Sequence, residues 1–307
     1  VIAVFLTLAP SAFAQLKEGN AADAPKLSAE EQQQQFVVAD GFSIELVSSE
    51  VQGTEKPVAL NFDAAGRLWT MTATEYPLDT NDKQHADEAR RKWQEGGKDK
   101  VLVIDDPLKP GPHRPRVFAA GLVMPMSVLP YKDGAIVAHG PEMLMLRDTD
   151  GDGKADERKV LLKGFGIQDS HTMAHQLMWL PDGSIFNTQG VLDSGSITDA
   201  EGKSVSFNYG KFASFRPDGT GFRIIGAGLN NTWGVLLRRN GEMWVQEANS
   251  FDHPVAPFEE GAHYHGWNEE PYINNAPWQP GVGEVDLGST GLSGLAQSED
   301  RAGGFPA

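Results

Sequence analysis

The chain has 307 residues, 40% of them hydrophobic and 9% aromatic, enough for one large all-β domain or two ordinary ones. A formal net charge of −16 argues against nucleic acid as a partner, since phosphates would repel it. The absence of cysteine excludes disulfides, thiolate metal sites and c-type haem attachment within these residues.

The opening VIAVFLTLAPSAFAQ is an apolar run ending in Ala12-Phe13-Ala14, an A-x-A cleavage pattern. Residues 1–14 therefore read as a signal-peptide remnant, and the mature protein is expected in the periplasm or outside the cell. Residues 15–35, with the Gln32–Gln35 run, read as a linker. From residue 36 a pattern recurs in which an apolar strand meets a Gly-closed turn and then a second apolar strand. Its copies are VALNFDAAGRLWTMTA, SVLPYKDGAIVAHG, HQLMWLPDGSIFNTQG and GVLLRRNGEMWVQEAN, with turn glycines at Gly66, Gly134, Gly183 and Gly241. Spacing of this size suits four-stranded blades around a channel, so residues 36–307 are expected to form an all-β, β-propeller domain, incomplete in this stretch. STGLSGLAQSEDRAGGFPA, at the end, reads as the start of a fifth hairpin. Between the first two copies, DTNDKQHADEARRKWQEGGKDK (79–100) reads as a charged surface insertion with a short helix, exposed to solvent.

Between the second and third copies lies DTDGDGKAD, residues 148–156. Asp148, Asp150, Asp152 and Asp156 stand at positions 1, 3, 5 and 9, with Gly153 at 6 for the sharp turn, a pattern of hard oxygen ligands suited to Ca²⁺. Position 12 is Lys159, so this is no EF-hand; the flanking strands make it resemble the calcium hairpin of integrin-type blades. Its expected role is structural.

In a propeller hairpin, the start of the first strand and the end of the second gather on one rim, opposite the turn. The copies then bring together Glu75 and Tyr76; Met124, Met126, Ser127 and His139; His171, His175 and Gln189; and Asn230, Asn231, Trp233, Glu247 and Asn249. Polar, titratable and aromatic groups at one channel mouth suit a small-molecule site.

RDTDGDGKADERKVLLKGFG, DSHTMAHQLMWLPDGSIF and GLNNTWGV together resemble the membrane-bound-dehydrogenase-type propellers of planctomycetes and relatives. Those in turn resemble soluble glucose/sorbosone dehydrogenases, six-bladed quinoproteins that use pyrroloquinoline quinone (PQQ) and Ca²⁺. GAHYHGW (261–267) is similar to a Gly-x-x-Tyr-Gly-Trp stretch of that group. The resemblance implies a general-base histidine just ahead of the strand entering the Pro-Asp turn; His171 and His175 both fall there, His171 with the better spacing. It implies quinone contacts at GLNNTWG, where Asn231 matches and Asn230 stands in place of an arginine, with Trp233 beside them. It also implies quinone-calcium oxygens from QEANSFD, with Glu247, Asn249 and Asp252 as candidates.

The leading expectation is an exported quinoprotein-type dehydrogenase that oxidises a sugar or related alcohol or aldehyde and passes electrons to a cytochrome c domain or protein. The alternatives are a non-catalytic, calcium-stabilised propeller that binds carbohydrate or a protein partner, and a metal-dependent lactonase. No G-x-G-x-x-G or G-x-S-x-G motif points to a nicotinamide enzyme or a serine hydrolase.

Overall fold

All four Gly-closed repeats fold as antiparallel hairpins in the computed structural model, which describes residues 26–38, 40–248, 255–264 and 293–297. They are β1 (Leu60–Phe62) with β2 (Leu68–Met71), β5 (Pro125–Tyr131) with β6 (Gly134–His139), β9 (His175–Trp179) with β10 (Ile185–Gln189), and β15 (Thr232–Leu237) with β16 (Met243–Glu247). In three of the turns the glycine takes the left-handed conformation its lack of Cβ permits: Gly66 at φ 80°, Gly183 at 79° and Gly241 at 89°. The fourth differs. Tyr131 pairs with Gly134, the loop is only Lys132-Asp133, and Lys132 carries the positive φ. Gly134 is needed for another reason, because a Cβ there would stand 1.9 Å from Leu146 O on the next strand.

Each hairpin opens a sheet that grows outward in chain order. The first adds β3 (Asp99–Ile104) and β4 (Arg116–Leu122); the second adds β7 (Glu142–Arg147) and β8 (Glu157–Lys163). The third adds β13 (Lys211–Phe215) and β14 (Arg223–Ala227), and the fourth adds β17 (Val255–Phe258). The hairpin of β11 (Ser194–Thr198) and β12 (Ser204–Asn208) leaves the chain between β10 and β13. It nevertheless joins the second sheet, through Thr198 paired with Lys163.

Strand alternation decides how the sheets stack. On β6, Ala135 and Val137 face the first sheet with Trp69, Val101 and Phe118, while Ile136 and Ala138 face the third with Leu177 and Phe215. On β10, Ile185 packs toward the second sheet and Phe186 toward the fourth, against Val245 and Ala256. The first strands of successive sheets pack against one another, β1 on β5, β5 on β9 and β9 on β15. Face-packed antiparallel sheets, two of them four-stranded, with their first strands side by side are the blades of a β-propeller.

These blades lie in one compact unit, Ser48–Gln297. The other unit comprises Val1–Val47 and Ser298–Ala307. Its described part includes α1 (Ala29–Gln33), inside the stretch read as a linker. Ser28 and Glu31 close a capping box on this helix, and Gln33 Nε2 donates to Ile44 O at 2.6 Å. Residues 1–25 lie outside the described residues. Among the described residues no helix is long and apolar enough to cross a membrane.

The insertion at 79–100 contains its short helix, α2 (Ala86–Glu95), yet it is not simply exposed to solvent. Ala89 is buried, Trp93 meets the His139 ring edge-on at 5.8 Å, and a Cβ on Gly140 would stand 2.2 Å from the Trp93 ring. One indole outweighs the charge of the rest, because burying an aromatic ring removes far more apolar area from water than any neighbouring side chain offers.

Candidate active site

His171 sits on the connection from β8 to β9, and carboxylates, one of them buried, shape that loop. Asp193, 1% exposed, accepts the amides of Gln168 (2.6 Å) and Asp169 (3.1 Å) on one oxygen and the Thr172 hydroxyl (2.6 Å) on the other. Burial raises its carboxyl to about 6 despite these three donors. Within the loop, Asp169 Oδ1 accepts from the His171 backbone amide and lies 2.9 Å from His171 Nδ1. The imidazole itself is 61% exposed, with the Tyr76 ring edge-on at 5.4 Å. Burial, and then the charges of Asp79 and Asp169, raise the Tyr76 phenol.

The GLNNTWG stretch closes the other side. Glu247, 1% exposed, accepts the backbone amides of Asn230 and Asn231. Asn231 Nδ2 donates to His171 O at 2.8 Å, and Asn230 O accepts from Val191 N–H at 2.8 Å. Gly190 is required here, since a Cβ would stand 2.7 Å from Thr172 Cβ and 2.8 Å from Asn230 O.

These residues surround a cavity of about 580 Å³, within the usual range for small-molecule sites. Of the expected rim set, Tyr76, Met126, His171, Asn230, Asn231 and Trp233 line it together. Glu75 instead pairs with Lys92 at 2.7 Å beneath α2, and Ser127 Oγ accepts Leu177 N–H at 3.0 Å. Met124 is buried with its amide on Asp99, His139 Nε2 accepts Val123 N–H, and Gln189 Nε2 donates to Asp193 O and Phe207 O. None of these five lines the cavity.

His175 is placed too deep to be a base. It is fully buried and stacked on Trp233 at 3.9 Å, its two ring nitrogens each 2.6 Å from a carbonyl oxygen, of Met173 and Thr232. Burial drives it down to about 4, against the pull of the two carbonyls, and no ring nitrogen is left for substrate. Glu247 is not among the cavity-lining residues; its carboxylate closes the Asn230–Asn231 turn by accepting both backbone amides. Asn249 and Asp252 lie outside the described residues, as do the last three of GAHYHGW.

In the 148–156 loop, Asp148, Asp150 and Asp156 bring ligand oxygens within 4.8 Å of one another. Asp152 stays outside this group, its Oδ1 accepting Lys154 N–H at 2.8 Å. Asp148 holds the amides of Gly151 and Gly153, and Thr149 lowers the Asp156 carboxyl by hydrogen bonding. Three converging carboxylates fit a calcium ion.

The sequence reading passed over Asp169, Asp79 and Asp193. Only Asp169 had a local signal, a carboxylate two residues ahead of a histidine; the others reach the loop from distant parts of the chain.

The face-packed blades and the cavity at their inner strands define the chain as a β-propeller. The family model for a domain of unknown function, DUF7133, matches residues 28–277, and the chain belongs to that family. Among solved structures, the PQQ-bound aldose sugar dehydrogenase of Streptomyces coelicolor is similar at 14% identity and a TM-score of 0.50, over 83% of this chain and 74% of that one. An oxidoreductase described as a glucose dehydrogenase, from Thermus thermophilus, is similar at 16% identity and a TM-score of 0.36, over 77% of this chain and 72% of that one. At these identities the likeness is one of fold. No curated protein matches the chain.

The ring system of PQQ fits this cavity by volume and by the planar Trp233 indole in its lining. The charge of the quinone carboxylates is less well met, since no Lys or Arg is among the described lining residues.

Proposed function

We propose that this propeller is an exported quinoprotein-type dehydrogenase that oxidises a sugar or related alcohol or aldehyde in the His171 cavity. The observation that carries this reading is the Asp169–His171 pair, open to the cavity that Trp233 and Asn231 also line. Asp169 fixes the tautomer: with the Nδ1 proton held by the carboxylate, the lone pair stands on Nε2, and the same carboxylate stabilises the imidazolium once Nε2 has taken a hydroxyl proton. Asn231, Trp233 and Tyr76 would hold PQQ and substrate. PQQ, when bound, supplies the acceptor for the hydride from the hydroxyl-bearing carbon. A cytochrome c domain or protein is the proposed next electron acceptor, and the Ala12-Phe13-Ala14 pattern supports a periplasmic or secreted location. The test is to add PQQ and Ca²⁺ to the purified protein and follow dye reduction with aldoses; turnover supports the proposal.

A second reading has its own support. Asn230 stands where the resemblance expects arginine, which favours a non-catalytic propeller that binds carbohydrate or a protein partner. Carbohydrate binding by calorimetry, without quinone binding or dye reduction, would sink the dehydrogenase and select this alternative.

Structural calcium at Asp148, Asp150 and Asp156 belongs to both readings. Calcium at a hundredfold excess over its Kd is expected to stabilise the fold by about 2.7 kcal/mol. Thermal unfolding with calcium and with EDTA measures this gain. Asp148→Asn should abolish it and Asp152→Asn should leave most of it; an EDTA-insensitive melting point would remove the calcium.

A further inference from the structure

The insertion read from sequence as a solvent-exposed excursion touches the His171 loop at its root. Asp79 Oδ1 accepts the Ser170 amide at 2.7 Å and also the Ser170 hydroxyl. Thr80 donates to Ile167 O twice, from its amide at 3.2 Å and its hydroxyl at 2.7 Å, and Asn81 N–H donates to Gln168 O at 3.0 Å. Three consecutive residues thus supply five hydrogen bonds to the stretch 167–170, next to the Asp169–His171 pair. The stretch is itself anchored. Directly after it, Asp82 O accepts the amide of Ala86 at the start of α2, and α2 is fixed by Trp93 over Gly140 and by Lys92 on Glu75.

We infer that residues 79–81 are a clamp that presets the His171 ring, with Asp79 as a positioning residue acting through Ser170. The loop holds Asp193 on one side and Asp79 on the other. The carboxylate of Asp193 is built into the propeller core, whereas Asp79 arrives on the insertion, so how firmly α2 docks sets how firmly the imidazole is held. A ring fixed in one orientation has no rotational freedom left to lose when substrate arrives, which is the entropic part of a positioned base.

The role of Asp79 as an aid to turnover rests on His171 being the base, but the clamp itself is tested without turnover. Long-range ¹⁵N–¹H spectra of the full chain report which ring nitrogen of His171 carries the proton. Wild type is expected to show one dominant tautomer, protonated on Nδ1. Asp79→Ala should give a mixed, exchange-broadened signal. Asp79→Asn removes the charge but keeps an acceptor for Ser170, so it should restore the single tautomer. Should Asp79→Ala fail to fold, Thr80→Val deletes one bond to Ile167 O and should broaden the same signal to a lesser degree. An unchanged His171 signal in the folded Asp79→Ala or Thr80→Val protein overturns the clamp. Where wild type oxidises sugar, Asp79→Ala should lower kcat about a hundredfold with a smaller change in KM. Absence of wild-type turnover counts against the proposed function only, since the tautomer signal decides the clamp by itself.

Discussion

His171→Ala is expected to lower kcat by about a thousandfold, within the 10²–10⁴ range typical of a lost general base, while sugar binding changes little. Asp169→Asn keeps the shape but offers the ring an amide, whose NH₂ face favours the wrong tautomer, so a loss of about a hundredfold or more should follow. His175→Ala should behave differently. It opens a void under Trp233, and its main effect belongs in the denaturation midpoint rather than in a clean loss of kcat. Steady-state dye reduction and urea unfolding on the three variants separate these outcomes. Full turnover in His171→Ala would dismiss His171 as the base.

Acid should unfold this protein through imidazoles that never meet water in the native state. His139 and His175 are both held near 4, down from 6.5, chiefly by burial. Between those values the unfolded chain binds protons that the native protein refuses, so stability falls as pH drops from about 6.5 toward 4, by about 3 kcal/mol per ring. Asp193 works in the opposite sense. Its native carboxyl titrates at about 6 against 3.8, so the native state takes up its proton first, and stability is gained as pH falls through that window, again by about 3 kcal/mol. Two losses against one gain leave a net acid sensitivity. His139 is the sharper test, because its Nε2 accepts Val123 N–H at 2.9 Å and a protonated ring would lose that acceptor. His139→Phe should flatten urea stability between pH 7 and 4.5, and Asp193→Asn should steepen it. Parallel curves for wild type and both variants would show that other groups govern the acid limb.

The blades were legible because each hairpin carries its signal locally, in a Gly-closed turn between apolar runs. The reason for Gly134 was not, since the atom it avoids, Leu146 O, belongs to the neighbouring strand. Pairing of β11 with β8 was hidden for the same cause: Thr198 and Lys163 meet across the third blade's first hairpin. For the site, His171 was legible from its position ahead of a strand. Asp79 and Asp193 reach Ser170 and Gln168 from far along the chain, and no spacing rule connects them. Glu247 shows a further limit. A carboxylate beside Asn-x-x-Asp reads equally well as a cation ligand or as a cap for backbone amides, and the amides it accepts, of Asn230 and Asn231, carry no mark of their own in the sequence.

The β11–β12 hairpin also bears on how the cavity can move. A ribbon that departs from one blade and fastens along the outer margin of its neighbour works like a strap: parting the two would have to tear Thr198 from Lys163. Met126 and the His171 loop stand on this strapped side, so the wall they give the cavity is held against any parting of the second and third blades.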